Sequence, residues 1–255
     1  MRRGSGSRMK ARQSSASISQ SATGYHDANF AVTAEIILRE SRHWELLRKR
    51  WARQIHHSVF RVDGCYEVKK YEMPLNIRFY RRPWLVEDAC LRRLKGDGAP
   101  RSFGWHEEAE MDQRVVWLVK EYIAGESLCS FAETDIPAVA CLMARIHSLR
   151  ILTGDAKPQN FIRSLDGRML FPSFGRAKIY RRHNPAFFLC IGVELAKLRR
   201  EGFQWDSSLW NAFRPLYFKA LHFSALSRAL IWASCEIAIG VRMARKRIQG
   251  HSPWN

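Results

Sequence analysis

The sequence predicts an α+β fold in two lobes, a small β-rich lobe followed by a helical one. Three observations lead there. Short apolar runs bounded by turn residues fill much of residues 58–122, the texture of strands and hairpins. After residue 134 the apolar residues recur at helical spacing instead. The connector "IAGESL", residues 123–128, separates the two textures. A cleft between such lobes is a favoured ligand site.

Taken in order, residues 1–25 are basic and serine-rich, lack the apolar stretch of a secretory signal, and read as a disordered tail. An N-terminal helix plus the β-rich lobe is expected over 26–122, and the helical lobe over 123–255. Over residues 29–54, Ile36, Ile37, Leu46, Leu47 and Trp51 among charges predict a helix. Its basic end, "RKRWAR", suits a solvated face or docking on an anionic surface. "SVFRV" and "CYEVKKY" flank Asp63-Gly64, a hairpin signal. "RPWLVEDACLRRL" reads as a helix, and "RSFGW" and "RVVWLVKEY" as two more strands. Residues 134–149 read as a helix with Ile136, Val139, Leu142, Met143 and Ile146 inward. "NFIRS" and "RMLFP" surround Asp166-Gly167, a second hairpin signal. Helices fill the rest, including "ALIWASCEIAIGV", read as a core helix too short to cross a bilayer.

Bulk properties narrow the partners. The chain has 255 residues, 46% of them hydrophobic, enough for a real core. Its formal charge of +18 favours anionic partners: nucleic acid, an acidic membrane surface or phosphorylated substrates. Nucleic acid is disfavoured, because no zinc-finger, RNA-recognition or helix-turn-helix signature accompanies the charge. The six cysteines form no CxxC pair and read as buried thiols in a reducing compartment.

The stretch "ILTGDAKPQNFI" sets Asp155, Lys157 and Asn160 in a short polar loop between apolar runs. Phosphoryl transfer needs positioning and charge neutralisation. Candidates for it occur in a workable order: Lys69 in a strand, Glu87 in a helix, then Asp155 and Asn160 at D-x-x-x-x-N spacing. Lys70 and Asp88 compete with their neighbours for the first two roles. Strand alternation favours Lys69, since Val68 and Lys70 share the opposite face. His147 reads as a structural helix residue.

"MARIHSLRILTGDAKPQNFI" resembles the catalytic loop of the protein-kinase-like fold. It is most similar to that of the bacterial lipopolysaccharide-core kinases, the Kdo and heptose kinase family. The "LDGR" hairpin, the hinge-like "EYIAGESL" and the strand "VKKY" look like theirs too, and the resemblance spans roughly residues 58–200. It implies an ATP- and Mg²⁺-dependent phosphotransferase acting on a sugar hydroxyl of an anionic glycolipid. Such an enzyme would be cytoplasmic and peripheral at the inner membrane. Asp155 would orient or deprotonate the acceptor, and Lys157 would stabilise the transferring phosphoryl group. Asn160 would hold Mg²⁺. Lys69, fixed by Glu87, would contact the nucleotide phosphates, and the backbone of Glu121 to Ile123 the adenine. A protein serine or threonine is a competing acceptor, since fold alone does not set the substrate.

The sequence departs from that family twice. No G-x-G-x-x-G precedes "VKKY", and the chain before "SVFRV" reads as helix, so the first strand and phosphate-covering loop are expected to be absent or replaced. The metal-binding Asp expected after the loop is Ser173 in one register and Pro172 in another. Neither is a carboxylate. Asp166, the nearest one, sits at a hairpin tip, where a turn role is natural. A pseudokinase, with the same fold used for binding, is the alternative reading.

Overall fold

Alternation of apolar and polar residues folds the first half of the chain into one five-stranded antiparallel sheet. The computed structural model describes residues 33–52, 55–75, 82–110, 112–204 and 207–248. The expected tail, 1–25, lies outside the described residues. The strands are β1 (Trp44–Ala52), β2 (Ile55–Val62), β3 (Tyr66–Pro74), β4 (Ser102–Glu110) and β5 (Gln113–Glu121), in the order β1-β2-β3-β5-β4. Asp63 and Gly64 take positive φ at the β2–β3 turn, as the hairpin signal requires. The Asp63 carboxylate also accepts the backbone N–H groups of Arg42 and His43, tying the start of β1 to that turn.

Each sheet face is covered by a helix. Val62, Val68 and Val119 share one face and pack with Ile37 of α1 (Ala34–Glu40). Tyr71, Val116 and Leu118 share the other and pack with Trp84 of α2 (Pro83–Leu94). In α2 the inward stripe runs Trp84, Glu87, Leu91, Leu94, at helical spacing, so a carboxylate lies in an apolar stripe.

The helix expected over 29–54 is a correction: its described part is the seven-residue α1 followed by strand β1. Leucine, lysine and arginine favour helix intrinsically, but pairing with β2 overrides that weak preference. Its charged residues suit an exposed edge strand, which Lys and Arg protect from further pairing. A strand thus stands where the first strand was expected to be absent or replaced, and the turn that follows it includes residues 53–54, outside the described residues.

The second half is mainly helical: α3 (Ile136–Ser148), α4 (Pro185–Gly202), α5 (Ser207–Ala220) and α6 (Ala225–Ile248). Short strands thread between the helices. β6 (Gly125–Ser127), β8 (Ile162–Ser164) and β9 (Met169–Leu170) pair together, and β7 (Ile151–Leu152) pairs with β10 (Lys178–Ile179). All five residues expected inward on α3 are buried. α4 meets α6 closely: a Cβ on Gly192 would lie 2.4 Å from the Ile231 carbonyl oxygen. The architecture is mixed α+β, sheet first and helices after, and is compatible with two lobes.

Two smaller expectations change. Only Cys90 and Cys235 are buried; Cys65, Cys129 and Cys141 are exposed and Cys190 is half-buried, all as free thiols. "ALIWASCEIAIGV" is half core: Ile231, Cys235 and Ile239 are buried, whereas Ile237 and Val241 face outward.

Candidate functional site

Phenylalanines set the polar loop in place. Phe161, Phe171 and Phe174 are fully buried and touch in series, Phe161 on Phe171 and Phe171 on Phe174. Each buried ring stabilises the fold by about 1.5–3 kcal/mol. Asn160 and Ser173, next to these anchors, line a cavity of about 450 Å³.

Asp155, Lys157, Asn160, Lys69, Glu87 and Ser173 all line this one cavity. Residues from a strand, a helix and two loops, spread over about two fifths of the chain, thus converge. Glu121 and Ile123 are not in its lining. The Glu121 and Tyr122 N–H groups are taken by the carbonyls of Arg101 and Cys65.

The upper wall holds a buried ion network. Lys69 Nζ lies 2.6 Å from Glu87 Oε1, with Lys69 2% and Glu87 0% exposed. Lys120 Nζ, fully buried, lies 3.5 Å from the same oxygen and 3.0 Å from Glu67 Oε1. Burial pushes the Glu87 carboxyl up, but Lys69 and Lys120 outweigh it and hold it below the usual carboxylate range. Burial pulls the Lys69 ammonium down. The same burial acts on Lys120, where Glu67 and Glu87 outweigh it and raise it. The rivals stand elsewhere: Lys70 pairs with Glu72, and Asp88 binds Arg92 and the Ser102 hydroxyl.

The lower wall is the Asp155 loop. Asp155 Oδ1 accepts from Lys197 Nζ at 2.6 Å, while Lys157 and Arg176 stand 3.6 Å from Oδ2. Partial burial raises the Asp155 carboxyl, but the Lys197 ammonium outweighs it and the group sits below its ordinary value. The Asn160 side-chain amide donates to the Asp155 carbonyl at 2.6 Å, closing the loop.

Glu194 of α4 holds that loop from below. Its carboxylate accepts from the Thr153 hydroxyl at 2.6 Å, the Gly154 N–H at 2.6 Å and the Thr153 N–H at 3.2 Å. His147 Nε2 is 2.9 Å from it, and His147 Nδ1 is 2.6 Å from the Tyr217 hydroxyl. His147 is thus buried in packing, one layer behind the loop. Gly154 is required here: its φ is +72°, and a Cβ would lie 2.3 Å from the Arg176 carbonyl oxygen.

Lys120, Glu194 and Lys197 were not read from the sequence. Two of them carry a signal. Lys120 interrupts the apolar run "VVWLV", and Glu194 lies on the buried stripe of α4 with Phe187, Ile191 and Leu198. A charge at a buried position needs partners.

No protein-family model matches this chain. The comparison with curated proteins likewise finds no match for it.

The residues present do not fit the expected Mg²⁺. A hard divalent cation takes about six oxygens, carboxylates foremost. The Ser173 hydroxyl accepts from Lys69 Nζ at 3.0 Å, and the Pro172 carbonyl accepts from Lys120 Nζ. Ammonium groups therefore occupy both registers at which the metal-binding carboxylate was expected. Asp155 Oδ1 is engaged by Lys197. Among the described residues no group of three His, Cys, Asp or Glu could hold a metal ion. Asp166 stands at the β8–β9 turn, bound to Ser164 and Arg168, and is not in the cavity lining. Those partners hold its carboxyl down at about 2.

Proposed function

We propose that the chain has a protein-kinase-like fold and is an ATP-dependent phosphotransferase of the lipopolysaccharide-core kinase type. It would move the γ-phosphate to a sugar hydroxyl. One observation carries this reading: the buried Lys69–Glu87 pair opens into the same cavity as Asp155, Lys157 and Asn160.

The chemistry asked of these residues is modest. Lys69, aimed by Glu87, donates to phosphate oxygens. Asp155 is held as a carboxylate, with Oδ1 fixed by Lys197, so Oδ2 can accept the hydrogen of the attacking hydroxyl. A bond forms between the acceptor oxygen and the γ-phosphorus as the bond to the β-phosphate oxygen breaks. The acceptor proton passes to Asp155, and ADP leaves. A carboxyl held below its ordinary value is a weak base, so Asp155 mainly orients the hydroxyl. Lys157 neutralises charge on the transferring group.

A glycolipid acceptor calls for a peripheral place at the cytoplasmic membrane face. No helix among the described residues is long and apolar enough to cross a membrane. Support for a surface contact comes from α6, which turns Ile237 and Val241 outward near exposed Arg242 and Arg245. Apolar and basic side chains together suit an anionic lipid surface.

The test is transfer from γ-labelled ATP to lipopolysaccharide core, with Asp155→Asn as the control. Asp155→Asn is expected to lower the rate by roughly 10²–10⁴-fold. Equal turnover would remove Asp155 from the reaction. A second reading, the pseudokinase, is favoured by the Lys69–Ser173 contact. ATP binding without transfer to any sugar, lipid or protein hydroxyl would select it.

A further inference from the structure

The edge strand β1 does something for the cavity that its sequence does not advertise. Trp44 and Leu46 pair with Val62 and Phe60, and so share the sheet face that α1 covers. A register shift follows between Leu46 and Arg48, leaving Leu47 unpaired. Such a bulge turns the side chains after it to the other face. Arg48 then stands opposite Val59, and Arg50 opposite His57. Val59 is in turn opposite Lys69, and His57 opposite Tyr71. Arg48 and Arg50 therefore fall on the Lys69 face, and both line the cavity. In an unbroken strand, period-two alternation would have kept them with Trp44.

Neither arginine has an ion-pair partner among the described residues. The cavity lining holds five cations, Arg48, Arg50, Lys69, Lys157 and Arg176, against two carboxylates, Glu87 and Asp155. His57 adds no charge: burial, with Lys69 and Arg48, pulls it down to about 4. Its Nε2 is buried without a hydrogen-bond partner among the described residues. An excess of unpaired guanidinium groups over a concave wall is a site for a polyanion, and guanidinium grips phosphate in bidentate fashion.

We propose that Arg48 and Arg50 form a polyphosphate subsite that binds the phosphate chain directly, with protein cations where a divalent metal would otherwise stand. The ligand class is a nucleoside triphosphate or another linear polyphosphate ester. The inference rests on reading this cavity as the phosphate site, and it deepens that reading by naming what replaces both the glycine-rich loop and the metal-binding carboxylate. A triphosphate without bound metal carries the larger negative charge, so it gains most from such a wall.

Calorimetric titration of the full chain tests this at fixed ionic strength, with ATP in EDTA, ATP in excess Mg²⁺, and inorganic triphosphate in EDTA. ATP is expected to bind at least as tightly in EDTA as in Mg²⁺, and triphosphate to compete with it. The double variant Arg48→Ala/Arg50→Ala should weaken both ligands by roughly 100-fold or more, as two lost charge-assisted hydrogen bonds imply. Its melting temperature without ligand should stay near wild type, because neither side chain has an ion pair to lose among the described residues. Lys219→Ala/Arg228→Ala, exposed on α5 and α6, controls for general charge and should leave the affinity unchanged. Binding that vanishes in EDTA overturns the metal-free subsite while leaving the phosphotransferase reading standing. Unchanged affinity in the β1 double variant also overturns it. Absence of transfer by a protein that still binds ATP in EDTA overturns only the enzymatic reading. No binding of either probe in any condition overturns both.

Discussion

Glu87→Gln removes one negative charge from between two buried ammonium groups and barely changes the volume. Glu87 Oε1 lies 2.6 Å from Lys69 Nζ and 3.5 Å from Lys120 Nζ. At an effective dielectric constant of about 20, such separations correspond to roughly 6 and 5 kcal/mol of attraction. Releasing the buried carboxylate from desolvation offsets several kcal/mol of that. Glu67 also remains, 3.0 Å from Lys120 and 4.0 Å from Lys69. The net loss of stability is expected at about 3–5 kcal/mol, the range for leaving a buried charge without its partner. Urea unfolding, followed by tryptophan fluorescence and circular dichroism, measures it. A pH series adds a signature. The folded-state pKa of Glu87 is depressed, so its contribution is present above the unfolded carboxylate value, about 4.3, and is lost as pH falls through the folded value. The gap between wild type and variant should therefore narrow in acid. A gap within about 0.5 kcal/mol at neutral pH, the range of a surface change, would refute the reasoning. So would a gap that persists unchanged in acid.

Two further outcomes are expected. Gly154→Ala and Gly64→Ala both place alanine at nearly the same positive φ, +72° and +73°, but only at Gly154 does the Cβ meet backbone, 2.3 Å from the Arg176 oxygen. Gly64→Ala should cost about 1–2 kcal/mol. Gly154→Ala should cost distinctly more and also impair phosphotransfer; equal losses in urea unfolding would contradict the close approach. Ile237→Glu/Val241→Glu should abolish sedimentation with vesicles of phosphatidylglycerol and phosphatidylethanolamine, as should about 0.5 M salt acting on the basic residues. Undiminished sedimentation of the double variant would discard α6 as the lipid-facing element.

Part of the candidate site was legible because strand alternation and loop spacing point at it. Strand alternation separates Lys69 from Lys70, and the structure buries the first and leaves the second paired to Glu72 at the edge of the sheet core. Helical spacing did not separate Glu87 from Asp88, and Glu87 was favoured in part by the family resemblance; both are buried, Glu87 beside Lys69 and Asp88 on Arg92 and Ser102. Asp-Gly turns marked both hairpins, since positive φ at their glycines is a local demand. Other partners were less accessible. Lys197 meets Asp155 across 42 residues of sequence, and no local pattern relates them. The β1 segment misled because its leucines and basic residues favour helix on their own, while the strand exists only through its neighbour β2.

The sequence alone determined which residue types the cavity could hold. It placed a carboxylate and an amide at loop spacing, put a lysine and a glutamate in the elements before them, and set serine and proline where a metal-binding carboxylate was expected. Those are local facts of identity, period and turn chemistry. Tertiary structure decided what stands beside each one. Lys120 reached Glu87 from a neighbouring strand, Glu194 and Lys197 reached the Asp155 loop from a helix, and a single unpaired leucine in β1 turned two arginines toward the cavity. Charge pairing and strand register depend on distances between segments far apart in the chain, and only folding sets those distances.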